Sequence, residues 1–139
     1  VTPLFVDTGY VVAIEMVADQ HHAAAITSWR QIMRDPPQLV TTSFVLSELI
    51  TFFTSRGKHS KAVDVAENLR ASSSVRVVHV DEGLFEAGFE YLKRRPDKRF
   101  SLTDCISFVL MNRLGIQQAL AFDLHFEQAG FTRIPSVER

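Results

Sequence analysis

The sequence predicts an α/β domain of three layers, with a short, mainly parallel central sheet flanked by helices. Short runs of β-branched and bulky apolar residues alternate with longer stretches whose apolar positions recur every three or four residues. No internal repeat, low-complexity segment or linker interrupts that alternation. Size agrees with one core: the chain has 139 residues, 46% hydrophobic and 22% charged, so 1–139 reads as a single domain.

Leu4–Val6 is the first expected strand, and the apolar run from Tyr10 to Ile14 follows it. Ala25, Ile26, Trp29, Ile32 and Met33 then recur at helical spacing, with Asp19 as the expected cap and Pro36-Pro37 as the stop. That spacing makes Trp29 a core anchor rather than a base-stacking residue. A second strand is expected over 38–41. Helices over 43–57 and 60–71, separated by Gly57, can form a hairpin. A third strand is expected over 75–80. Asp81 can cap the next helix, whose apolar face would be Phe85, Gly88, Phe89 and Leu92, with Glu82, Glu86 and Glu90 as a solvated acidic face. Leu102–Leu114 is apolar nearly all round and should be a central helix. A strand over 119–122, a short helix over 124–129 closed by Gly130, and an edge strand at Thr132–Ile134 complete the chain.

Composition narrows the function. Fifteen Lys and Arg against sixteen Asp and Glu leave a net charge of -1, so neither a histone-like protein nor an acidic tail fits, and any nucleic-acid contact must be local. One cysteine excludes an internal disulfide framework or a cysteine-rich zinc site, pointing to a reducing compartment, the cytoplasm. The apolar stretches fall far below the ~18 residues that cross a bilayer, so no membrane partner is expected. The N-terminal residues lack the pattern of a secretory signal.

Four carboxylates stand out. Asp7 and Asp123 directly follow expected strands, where the carboxyl edge of a parallel sheet places ligand and catalytic groups, although either could cap the next helix. Glu48 has Phe44, Val45, Leu49 and Phe52 as its helical neighbours, which puts it on an apolar face with no Lys or Arg at helical spacing. A carboxylate so placed needs a partner from elsewhere in the fold, and a metal ion is one candidate. Asp104 ends Ser101-Leu102-Thr103-Asp104, which matches a capping box.

Phe5-Val6-Asp7-Thr8-Gly9, Ser47-Glu48-Leu49, Leu102-Thr103-Asp104-Cys105 and Phe122-Asp123-Leu124-His125-Phe126, followed by Gly130-Phe131, occur in an order and spacing that resemble the PIN-domain nucleases from end to end. Length and terminal motif look most like the VapC-type ribonuclease toxins. The resemblance implies a PIN-like fold and a metal-dependent endoribonuclease, the toxin of a toxin–antitoxin pair, with RNA as substrate, a cognate antitoxin as partner and a homodimer as assembly. It implies that Asp7, Glu48, Asp104 and Asp123 are catalytic, that Asp7, Asp104 and Asp123 bind Mg²⁺ or Mn²⁺, and that Thr8 and Thr103 give hydroxyl support. Two positions depart from the family pattern: Ala121 stands where Ser or Thr is common, and Gly9 where serine is frequent.

An all-oxygen acidic pocket suits Mg²⁺ or Mn²⁺ and phosphodiester hydrolysis without a covalent intermediate. Cys105, in the apolar helix, reads as an inert buried thiol. His21, His22, His59 and His79 lack metal-ligand spacing, and His125, two residues after Asp123, could touch substrate or water, although a surface or packing role is the favoured reading. Lys93, Arg94, Arg95, Lys98 and Arg99 form the densest basic run, against the single Asp97, and are the expected RNA-backbone contacts. Arg56, Lys58 and Lys61 are a thinner second candidate. Competing functions are a catalytically degenerate RNA- or protein-binding module of the same fold, and a phosphoacceptor domain using Asp81, which lacks that class's acidic pair and lysine.

Overall fold

The computed structural model describes residues 2–136, so the expected bounds of 1–139 extend past the described residues at both ends. Five parallel strands, β1 (Leu4–Val6), β2 (Leu39–Thr42), β3 (Val75–Val78), β4 (Gln118–Leu120) and β5 (Thr132–Ile134), form one sheet in the order β3-β2-β1-β4-β5. Around it lie α1 (Thr8–Glu15), α2 (His22–Ile32), α3 (Ser43–Thr54), α4 (His59–Ala71), α5 (Glu82–Lys93), α6 (Leu102–Leu114) and α7 (His125–Gln128). Helices α1 and α2, α3 and α4, and α5 and α6 pack against one another in pairs. The α/β architecture expected from the alternation is the one observed.

At β3, at the β2–α3 junction and at the start of α2, a local hydrogen bond accompanies the difference from the expected bounds. β3 stops at Val78 rather than Val80 because its partner β2 ends at Thr42, and the Val80 amide instead donates to Ser43 Oγ at 2.9 Å. β2 runs on to Thr42, whose hydroxyl then caps α3 by accepting from the Val45 amide. β4 lies one residue earlier than expected at its start and ends at Leu120. Asp19 does not cap α2; its carboxylate accepts from the His21 amide and shapes the turn before the helix, which begins at His22. Helix α1 was concealed in the sequence because Tyr10, Val11, Val12 and Ala13 are all buried, leaving no polar face to reveal a period.

The core is aromatic near the carboxyl ends of β1 and β4. Phe108 of α6 meets Phe100 and Phe126 with ring centroids 5.1 Å apart, both edge-on, and Phe126 in turn lies beside Phe5 of β1. Trp29 is partly buried against this core beside Tyr10, as its spacing required.

Helix α5 corrects one expectation. Its buried stripe is Leu84 and Gly88, with Tyr91 and Leu92 partly buried, whereas Phe85 and Phe89 remain 37% and 41% exposed. Gly88 sits inside the crossing with α6: an added Cβ would collide with Ile106 Cγ1 and lie 3.2 Å from the Ile106 Cα. That backbone cannot yield cheaply. Gly88→Ala should therefore destabilise by ~1–3 kcal/mol despite its better helix propensity, seen as a lower urea midpoint with an unchanged slope.

Candidate active site

The chain passes from β1 through β2 to β3 on one side of the sheet and returns to build β4 and β5 on the other. The crevice between the carboxyl ends of β1 and β4 is thus where successive connections diverge, the usual ligand position in an open parallel sheet. Asp7 follows β1 directly, and its amide donates to the Leu120 carbonyl at 3.0 Å, locking the two strand ends together. Thr41 on β2 adds a second restraint by donating its hydroxyl to the Val6 carbonyl at 2.8 Å.

A hollow of about 300 Å³ opens there, and Asp7, Glu48, Asp104 and Asp123 all line it. Thr8, Gly9, Arg99, Ser101 and His125 complete the wall. Asp7 occupies the N-cap position of α1 but makes no side-chain cap, so local helix capping does not explain it. It is only 7% exposed, and burial, followed by the Asp104 charge, pushes its carboxyl from an ordinary 3.8 up to about 8; the Thr8 backbone hydrogen bond offsets part of this.

Asp104 is held twice over. Its Oδ2 accepts from the Ser101 amide at 3.1 Å while the Ser101 hydroxyl accepts from the Asp104 amide at 3.0 Å, the capping box expected from the sequence. The same Oδ2 lies 2.8 Å from His125 Nδ1, which is also 3.3 Å from Asp123 Oδ1. Capping and site geometry are therefore compatible: the box fixes the carboxylate that faces the hollow.

Glu48 departs from expectation. It is exposed at the mouth of the hollow, not buried among its apolar neighbours, because Val45 and Leu49 take the core side of α3 while Glu48 and Ser47 face outward. Its partner is Thr8, whose hydroxyl donates to Glu48 Oε1 at 2.6 Å across the gap between α1 and α3. Thr103 does not line the hollow; its carbonyl accepts from the Ser107 hydroxyl, and Ser101 takes the wall position instead. Ala121 is fully buried and also stands outside the wall, so the hydroxyl absent there takes nothing from the lining. At Gly9 a Cβ would meet nothing within 4 Å, which leaves room where a serine would reach the site.

His125 is a wall residue of the hollow and not the surface or packing residue that the sequence reading favoured. The only signal was its place two residues after Asp123, and the ring is brought in because the His125 amide donates to Asp123 Oδ1 at 2.9 Å and Phe100 stands edge-on beside it at 5.4 Å. Arg133 was missed entirely. This buried guanidinium donates to the Phe122 carbonyl at 2.5 Å and pairs with Glu127 at 3.0 Å, anchoring the segment that carries Asp123 and His125.

The basic run divides. Lys93 pairs with Glu90 and lies near the Phe89 ring, and the Arg95 guanidinium stacks on Tyr91 at 3.4 Å, so these two are engaged by their own helix. Arg94 is exposed, Lys98 is 3.9 Å from Asp97, and Arg99 reaches the hollow. Cys105 is buried, its thiol pushed up to about 11 chiefly by burial, in accord with an inert role.

Asp104, Asp123 and His125 each offer a donor atom, all within 4.8 Å of one another, a spacing that could hold a metal ion. A separate hollow of about 270 Å³ beside Tyr10, Trp29 and Leu69 is mostly apolar, and Glu15, the one carboxylate among the described residues lining it, is paired with Lys61 at 2.8 Å. The acidic hollow is therefore the place for polar chemistry. Among the described residues, no helix is long and apolar enough to cross a membrane.

The PIN-domain family model matches residues 4–132. The chain is 37% identical over 131 residues to the 23S rRNA-specific endonuclease VapC20 of Mycobacterium tuberculosis, covering 94% of this chain and 97% of the relative. The crystal structure of that protein, described as a sarcin-ricin loop cleaving toxin, aligns with TM-score 0.84 at 37% identity over 93% of this chain and 96% of that one. FitAcB from Neisseria gonorrhoeae aligns with TM-score 0.66 at 13% identity, covering 94% and 95% of the two chains, a likeness of fold alone. A toxin–antitoxin complex from Klebsiella pneumoniae does so with TM-score 0.55 at 14% identity, covering 95% and 92%.

Proposed function

The chain belongs to the PIN-domain family, and from that premise we propose that it is an endoribonuclease toxin whose acidic hollow uses Mg²⁺ or Mn²⁺ to hydrolyse RNA phosphodiesters. One observation supports this above the others: four carboxylates distant in sequence face one cleft at the switch point of the sheet. The relative is named for 23S rRNA, so ribosomal RNA is the substrate class to test first. A cognate antitoxin, a homodimeric assembly and a cytoplasmic setting complete the proposal, the first supported by a solved toxin–antitoxin complex of the same fold.

The donor set fits a divalent ion. Asp104 and Asp123 would supply hard oxygen ligands, with Asp7 lining the same hollow, a set that suits Mg²⁺ or Mn²⁺. When bound, such an ion supplies water activation and charge neutralisation at the phosphate. Without a counter-charge, Asp7 holds its proton near neutral pH. Thr8 fixes the exposed carboxylate of Glu48, which in this reading would take up a proton from the attacking water. Among the described residues Arg99 is the one guanidinium lining the hollow, and it can hold a phosphate oxygen. His125 orients the facing oxygens of Asp104 and Asp123.

Purified protein should cleave ribosomal RNA with Mg²⁺ or Mn²⁺, lose cleavage in excess chelator, and lose it by more than ~100-fold in Asp104→Asn, beyond what altering a neighbour of a metal ligand usually costs. Unchanged cutting in chelator, or in a folded Asp104→Asn variant, contradicts the proposal. RNA binding without any turnover would instead favour the degenerate binding module.

A further inference from the structure

Beside the acidic hollow lies a second one, of about 280 Å³, lined by Asp97, Lys98 and Arg99 from the α5–α6 connection and by His125 and Gln128 of α7. Arg99 and His125 belong to both walls, so the two hollows adjoin. We propose that this second hollow is a subsite for a backbone phosphate of the RNA flanking the one that reacts, with Lys98 and Arg99 as its cations and Gln128 as a neutral donor. The inference rests on the nuclease assignment and adds the path of the strand.

The charges decide the direction. The acidic hollow repels a polyanion, and among the described residues lining it Arg99 is the sole fixed cation. On its other side Thr8, Gly9 and Glu48 offer no positive charge. In the adjoining hollow, Lys98 and Arg99 outweigh Asp97, whose carboxylate is 73% exposed and 3.9 Å from Lys98, a loose contact that a phosphate can replace. A strand leaving the reacting phosphate therefore finds compensation in one direction. Within the rest of the basic run, Lys93 and Arg95 contribute less, because Glu90 occupies Lys93 and Tyr91 occupies Arg95. Gln128, unremarkable in the sequence, gains its role only from the turn of α7 that sets it near Arg99.

The test reads binding apart from cleavage. A short fluorescein-labelled single-stranded RNA is titrated by anisotropy over a range of salt concentrations against protein carrying Asp7→Asn, which prevents cutting during the measurement. Adding Lys98→Gln should weaken binding roughly 3–10-fold at low salt and flatten the salt dependence by about one phosphate contact. Gln128→Ala should weaken it by roughly 2–3-fold with the salt dependence unchanged, as loss of a neutral donor requires. Arg113→Gln, which removes one charge near the far end of α6, should alter neither affinity nor slope. Equal losses in Lys98→Gln and Arg113→Gln, or no loss in Lys98→Gln, overturn the subsite. Cutting is measured separately, on protein that keeps Asp7: RNA binding that follows this pattern when that protein never cleaves RNA supports the subsite while overturning the nuclease assignment. Cleavage and binding both insensitive to Lys98→Gln overturn the subsite alone.

Discussion

Asp7→Asn is expected to melt higher than the wild type at pH 8.5 in chelator while losing RNA cleavage. In the fold its carboxyl titrates near 8, against an ordinary 3.8, because it is buried beside Asp104. Between those values the folded protein retains a proton that the unfolded chain has released, so stability falls as pH climbs through that window and the penalty is complete above about 8. Asparagine cannot ionise and escapes the penalty. Each unit of such a shift is worth ~1.4 kcal/mol, so a gain of at least about 5 °C in melting temperature is expected at pH 8.5, shrinking toward zero below pH ~4. Saturating Mn²⁺ should narrow the gap: an ion at 100 times its dissociation constant adds ~2.7 kcal/mol to the wild type, and the variant, lacking one ligand, gains less. A variant less stable than wild type at every pH would show that Asp7 is a structural residue.

Arg133→Met should both destabilise the fold and impair the site. The guanidinium is only 5% exposed and satisfies the Phe122 carbonyl and Glu127 together. Removing it orphans the carbonyl, while Glu127, about 40% exposed, can turn to water. A cost of ~2–3 kcal/mol follows, below the usual range for breaking a fully buried pair because one partner is half-solvated. Since Phe122 immediately precedes Asp123, cleavage should fall by a further ~10–100-fold at temperatures where the variant stays folded. Arg133→Lys, which carries the charge but not the fork that reaches both acceptors, should recover only part of either loss. Urea unfolding and a cleavage assay on the same preparations separate the two effects.

The strands were legible because most are short runs rich in β-branched or bulky apolar residues between helical stretches, and their parallel order followed from the intervening helices. Asp7 and Asp123 were legible for the same reason, since a carboxylate just past a strand belongs to the sheet's carboxyl edge. Glu48 was legible as a site carboxylate, but contacts and exposure that depend on a distant partner were not. Glu48 has apolar neighbours in sequence but faces outward, and the Thr8 hydroxyl that meets it is 40 positions away. Arg133 sits in a three-residue edge strand, where a charged side chain ordinarily faces solvent. Phe85 and Phe89 share a helical face with Gly88 in the heptad sense, yet the close α5–α6 crossing at Gly88 pulls Leu84 inward and leaves both rings half-exposed. Lys93 and Arg95 count as basic in the composition but are taken up by Glu90 and Tyr91.

Crystals soaked in Mn²⁺ give the most direct measurement. The expected result is an anomalous peak in the acidic hollow, within coordination distance of carboxylate oxygens from Asp7, Asp104 and Asp123, and its loss in Asp104→Asn. A hollow that stays empty at saturating Mn²⁺, or an ion held elsewhere with those three side chains undisturbed, would contradict it.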